Sequence, residues 1–322
     1  MNEKKILVCG SIAYDYIMEF QGDLNDNLTT NKEQKIFNLA VMPTSKEIRF
    51  GGTSGNISYN LAKIAAPTKI VTAVGKDFVD LGYEAHMKQH PTLEFIGDIH
   101  QELFSASCYI VNDVNHNQFI IFHEGAMSKC PQISLKDRKI SRKTIEIASI
   151  SPDNVGAMAK WARELNNLGI RFILDSGQVT PAFTKEILEE LIPKAFLVIG
   201  NEFEIQMIIE KLGKSLDELL GMNPNLIITK GDKGSELFFE GKKELIGICT
   251  PNQVIDTTGA GDAFRAGLLY GISQNYSLKD SCQIGATLSS FSVETVGPQT
   301  QKYSWADVQE RYEKTFHEII NG

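Results

Sequence analysis

Short apolar runs bounded by glycine and charged residues recur along the chain at residues 6–8, 70–74, 172–174, 196–199 and 226–229. Runs of this length without alternation read as strands buried on both faces. Between them the apolar positions fall at helical spacing, at Ile57, Leu61 and Ile64, at Val155, Met158, Ala159, Ala162 and Leu165, and at Phe203, Met207 and Ile208. Strands alternating with helices predict an α/β fold, a doubly wound and mostly parallel sheet with helices on both faces.

Two regions break this rhythm. Residues 14–49 and 105–122 carry extended patterns, and in the second Cys108, Tyr109, Ile110 and Val111 face Phe119, Ile120, Ile121 and Phe122 across the turn-rich stretch 112–117. That arrangement predicts a hairpin. Extended pieces inserted early in an α/β chain build a small β lid beside the main sheet, where it can close over a cleft. The expectation is therefore one domain over residues 1–322, with lid segments at about 14–49 and 105–122 inserted in it.

The net charge is −8 over 322 residues, and the Lys and Arg residues are dispersed rather than gathered into a stripe. This argues against a nucleic-acid partner and for a small molecule. The five cysteines (Cys9, Cys108, Cys130, Cys249, Cys282) are widely spaced and form no CxxC pair, which fits a reducing compartment. The first apolar run is too short for a signal-peptide core or a membrane span, so a cytoplasmic protein with no membrane partner is expected. The histidines show no HExxH spacing, so a histidine-held metal is not expected.

The strongest chemical signal lies at 256–267, where Asp-Thr-Thr-Gly-Ala-Gly-Asp-Ala-Phe-Arg-Ala-Gly runs from a glycine-rich turn into an apolar helical stretch. Free N–H groups at a helix start make a site for an anion, and a phosphoryl group in transfer is such an anion. Asp262 at the mouth of that turn can take a proton from an attacking hydroxyl. The plainer reading is an aspartate that caps its helix. The segment has neither the Gly-Lys-Ser/Thr of a Walker loop nor the third glycine of a dinucleotide fingerprint.

Other segments carry weaker signals. Gly51-Gly52-Thr53-Ser54-Gly55-Asn56 opens a helix with two glycines that permit close approach and an amide that both donates and accepts. Asp15, after the first strand, stands where α/β proteins hold ligands. Asn201-Glu202-Phe203-Glu204 reads as a helix start with Asn201 as cap, and Thr229 to Gly234 reads as a hairpin turn.

Taken together these segments resemble the PfkB, or ribokinase-like, family of carbohydrate and nucleoside kinases. Residues 256–267 match its D-T-x-G-A-G-D-x-F-x-x-G signature at every specified position, and Gly51 to Asn56 matches its Gly-Gly-x-x-x-Asn turn. The resemblance implies that Gly259, Ala260 and Gly261 form an anion hole with Asp262 as base. It implies that Asp15, Gly51, Gly52 and Asn56 hold the substrate, and that Asn201, Thr229, Gly231 and Gly234 contact ATP. Glu204 would then position hydrated Mg²⁺, and K⁺ is a family possibility near Asp256 and Thr258. A monomer or a homodimer is expected.

Local strings at 10–15, 122–127, 175–178 and 297–300 look closest to bacterial adenosine and nucleoside kinases. A purine needs apolar faces and an amide edge, which Tyr109, Phe119, Phe122 and Gln178 could supply. Ser176 stands where those relatives usually carry proline. A kinase for a free sugar such as ribose or fructose shares every motif named, and a silent nucleoside-binding regulator is the reading from another class.

Overall fold

In the computed structural model, which describes residues 4–31, 36–115 and 117–320, the chain builds one large sheet and one small one. Residues 1–3, residues 32–35 of the first lid segment and His116 of the hairpin turn lie outside the described residues. The large sheet runs in the order Lys242–Ile246, Ser235–Phe239, Leu226–Thr229, Leu197–Asn201, Phe172–Asp175, Ile145–Ile150, Lys5–Cys9, Thr68–Val71, Leu93–Phe95. The pairings from Leu226–Thr229 to Leu93–Phe95 are parallel, and the two at the other edge are antiparallel.

The residues of single strands divide between two cores, as burial on both faces requires. Leu7 and Cys9 join one core with the helices Val155–Asn167, Lys185–Leu191 and Glu202–Leu212. Ile6 and Val8 join the other, with Thr53–Lys63, Ala260–Ser273, Leu278–Ser292 and Trp305–Phe316. Ile145–Ile150, the strand beside Lys5–Cys9, escaped the sequence reading because Glu146 and Ser149 interrupt its apolar run.

The small sheet has four strands in the order Gln118–His123, Ala106–Asn112, Ala13–Glu19, Ser45–Gly51. Cys108 pairs with both Asp15 and Phe122, and Tyr109 pairs with both Tyr16 and Ile121. Because side chains alternate along a strand, Asp15, Cys108 and Phe122 share one face and Tyr16, Tyr109 and Ile121 the other.

The last glycine of the 256–267 signature owes its place to packing. A Cβ at Gly267 would lie 2.6 Å from backbone atoms of Gly285, so the Ala260–Ser273 and Leu278–Ser292 helices meet there without side chains between them. Replacement Gly267→Val is expected to lower stability by roughly 1–3 kcal/mol or more through overpacking. Urea denaturation checks this, and an unchanged midpoint would show that the helices can part freely.

Candidate active site

The site is assembled where two helix starts meet the carboxyl ends of the central strands. Gly52 caps the Thr53–Lys63 helix at φ 84°, and a Cβ there would lie 2.6 Å from the Ser11 carbonyl oxygen and the Ala13 nitrogen. Any other residue would be driven off this contact. The loop after the first strand then caps the helix from outside: Thr53 N donates to Ser11 Oγ (3.2 Å) and Ser54 N to the Ser11 carbonyl (2.9 Å). This fixes Asn56 relative to Asp15. Gly51 adds room for Asp15, since a Cβ there would lie 2.4 Å from its Oδ2.

The second helix start, Ala260–Ser273, has Gly259 as N-cap at φ 80° and no side-chain cap. Asp262 is therefore not the capping residue. Its Oδ2 instead accepts from Asn56 Nδ2 at 2.8 Å, across to the neighbouring helix. Ala263 N already reaches back to the Gly259 carbonyl, whereas the N–H groups of Gly261 and Asp262 have no partner among the described residues. Unpaired donors at a helix start attract negative charge.

One turn on, Arg265 is buried and makes a bidentate ion pair with Asp175, Nη2 lying 2.7 Å from Oδ1, while Nη1 donates to the Gly261 carbonyl at 3.0 Å. The sequence reading passed over both partners. A lone arginine inside an apolar helical stretch was the available signal, because such a charge must find a counter-ion. Glu204 Oε2 lies 4.0 Å from Arg265.

A cavity of about 460 Å³ joins these parts, lined by Asp15, Gly52, Asn56, Gln178 and Asp262 with apolar Ile120, Phe122, Met127, Pro152 and Val179. Of the aromatics expected to face a base, Phe122 does line it. Tyr109 and Phe119 do not, and that expectation is corrected: strand alternation turns them to the outer face of the small sheet, where Tyr109 stacks on Tyr16 at 4.8 Å. Asp153, which the sequence reading missed, also lines the cavity.

The remaining predicted residues sit along the neighbouring strand ends, outside that lining. Asn201 and Thr229 face each other on paired strands. Asn201 and Glu204 form a reciprocal capping box, Glu204 N to Asn201 Oδ1 at 2.9 Å and Asn201 N to Glu204 Oε2 at 2.8 Å. Gly231 lies in the short turn after Thr229, and a Cβ at Gly234 would lie 2.1 Å from the Ile246 carbonyl. Asp256 is braced by N–H donors from Thr258 and Gly297, both at 2.9 Å, and lies 3.5 Å from Arg49.

Comparison with known proteins defines the family. The family model for pfkB family carbohydrate kinases matches residues 15–305, and the chain belongs to that family. A nucleoside kinase of Methanocaldococcus jannaschii is 30% identical over 311 residues, 97% of each chain. A ribokinase of Lactococcus lactis is 26% identical over 304 residues, 92% of each. The solved nucleoside kinase of Burkholderia thailandensis in complex with inosine superposes with a TM-score of 0.82 at 30% identity, over 98% of this chain and all of that one, 100%.

Burial pushes the Asp262 carboxyl up to about 7, against the charge of Arg265 and the Asn56 donor, with Asp175 and Asp15 adding to the rise. Burial likewise pushes Asp15 up to about 6, opposed by Arg49. Both groups hold protons in the folded state that the unfolded chain, near pKa 3.9, would release. Their stabilising contribution is therefore complete below about pH 4 and lost as pH rises to about 7. Asp262→Asn, which cannot ionise, is expected to have a higher thermal midpoint than wild type at pH 8, with the gap narrowing toward pH 4. A lower midpoint for the variant at pH 8 would mean that the ionised carboxylate is a net stabiliser.

Proposed function

We propose that this chain is an ATP-dependent nucleoside kinase that transfers the γ-phosphoryl group of ATP to the 5′-hydroxyl of a ribonucleoside in the cytoplasm. The observation that carries the reading is the cavity, which sets the acidic and amide groups of Asp15, Asn56 and Asp262 in one chamber with the apolar side chains of Ile120, Phe122, Met127 and Val179. A free sugar presents hydroxyls on all sides and gains little from such walls, whereas a nucleobase has two apolar faces to bury. The similar nucleoside kinases, one of them in complex with inosine, support the same choice. The five cysteines are free thiols, in keeping with a reducing compartment. Among the described residues no helix is long and apolar enough to cross a membrane.

In this reading Asp15 and Asn56, seated by Gly51 and Gly52, receive the ribose hydroxyls, and Gln178 meets the base edge. Asp262 takes the 5′-hydroxyl proton as that oxygen bonds to the γ-phosphorus and the bond to the ADP oxygen breaks. The unpaired N–H groups of Gly261 and Asp262, at the end of the turn formed by Gly259, Ala260 and Gly261, hold the equatorial oxygens of the group in transfer. Asn201, Thr229, Gly231 and Gly234 line the approach of ATP. The small sheet, which supplies Asp15, Cys108, Ile120 and Phe122 to the cavity, acts as a lid that keeps water from the phosphoryl group.

Among the described residues no group of three or more His, Cys, Asp or Glu side chains could hold a metal ion. Magnesium carried in on a nucleotide asks for less, keeping most of its waters and needing one or two carboxylates. Glu204 fits that demand: Oε2 is engaged by Asn201 N–H and Oε1 has no partner among the described residues. When bound, magnesium neutralises charge on the β- and γ-phosphoryl oxygens. A potassium ion at Asp256 would share its carboxylate with Arg49.

The test is a coupled assay over nucleosides and free sugars with MgATP. Nucleosides, adenosine and inosine among them, are expected to give the higher kcat/KM, because base contacts orient the 5′-hydroxyl. Ribose or fructose above every nucleoside would make this chain a sugar kinase.

A further inference from the structure

We propose that Gln299 is a positioning residue for Asp262: its amide nitrogen sets the polarity of a hydrogen-bond chain that ends on the Asp262 carboxylate. The proposal rests on the reading of Asp262 as base. Gln299 lies after the Leu278–Ser292 helix, 243 residues from Asn56, and is 7% exposed.

The polarity follows from what each group can do. The Tyr83 hydroxyl donates to the Gly51 carbonyl at 2.9 Å, and a carbonyl only accepts. The Tyr83 oxygen must then accept at its other contact, from Gln299 Nε2 at 2.6 Å. The same nitrogen lies 3.0 Å from Asn56 Oδ1. A primary amide has two N–H bonds, one for each branch. With its oxygen so engaged, Asn56 turns its own N–H to Asp262 Oδ2 at 2.8 Å.

Gln299 Oε1 completes the set at 3.1 Å from His86 Nε2. His86 is stacked on Phe50 and Tyr59, and burial lowers its pKa, so the neutral ring serves as the donor.

The chain is thus pinned by an acceptor at each end, the Gly51 carbonyl and the Asp262 carboxylate. Only a double donor at the branch satisfies both. A reversed Gln299 amide would bring its oxygen against two oxygens already committed, at a site where Tyr83 and Asn56 are also buried. A reversed Asn56 would aim its carbonyl at the carboxylate. Gln299 therefore keeps the Asn56 N–H on Asp262 Oδ2 and leaves Oδ1 as the oxygen that takes the substrate proton.

The experiment compares wild type, Gln299→Met, Gln299→Glu and Asp262→Asn, reading the pH profile of kcat with adenosine and MgATP and the thermal midpoint. Met removes both donors without adding charge, and Glu keeps the shape while only accepting when ionised. The charged and titratable groups facing Asp262 are Arg265 on its own helix, Asp175 on the strand end, Asp15 on the small sheet and Tyr83 beside Gln299; Gln299→Met changes none of these residues, and Gln299→Glu adds one carboxyl group to them. Each variant is expected to lose roughly 10- to 100-fold in kcat from a misplaced base. Each should also move the acidic limb of the profile up by about 1 unit as the oriented donor is lost. A role in packing alone would not move that limb. An inactive Asp262→Asn beside a folded Gln299→Met with the wild-type limb and kcat would overturn the proposal, and should the Met variant not fold, the same result in Gln299→Glu does so. An active Asp262→Asn would overturn the base assignment instead.

Discussion

A guanidinium buried inside a helix has to be met by a counter-ion on the spot, and the way Arg265 is met organises the site. Asp175, at the end of its central strand, takes the guanidinium in a bidentate pair, so the helix that starts at Ala260 is tied to the carboxyl edge of the sheet. Removing one partner of such a pair typically costs about 3–5 kcal/mol, because the other charge is left buried alone. Arg265 also holds the Gly261 carbonyl, which steadies the turn whose N–H groups point outward. With the positive charge committed to Asp175, Asp262 one turn earlier is left with an amide donor and, among the described residues, no ion-pair partner. Burial can then lift its pKa to about 7, where a carboxylate is a useful proton acceptor near neutrality.

The same economy governs the neighbouring helix. Its start has no capping side chain of its own, and the Ser11 loop supplies the acceptors. That is possible only because Gly52 lets the two backbones touch. Cap, Ser11 loop and Asn56 are consequently one unit, and the hydrogen bond from Asn56 to Asp262 joins it to the other helix.

How far this was legible in the sequence depends on how local each feature is. The alternation of strands and helices, the 256–267 turn, the Gly51–Gly52 turn and the strings at 10–15 and 175–178 are contiguous patterns, and reading them with the family resemblance named Asp15, Asn56, Gln178 and Asp262, which one cavity brings together. Pairings between distant segments left no such trace: Arg265 and Asp175 are 90 residues apart, and Gln299 and Asn56 are 243. The outward turn of Tyr109 and Phe119 follows from strand alternation once Cys108 and Phe122 are known to face the cavity, but sequence alone does not choose the face. Asn201 and Glu204 show the converse case, a motif whose helix cap was legible in its composition, with Glu204 Oε1 left without a partner among the described residues.

In the proposed function Asp262, held at a helix start, is a proton acceptor rather than a cap. The most direct measurement is kcat of Asp262→Asn with nucleoside and MgATP, taken with calorimetric nucleoside affinity on the same protein. A fall in kcat of ~10²–10⁴ with affinity close to wild type is expected. A folded variant that turns over at nearly the wild-type rate would contradict it.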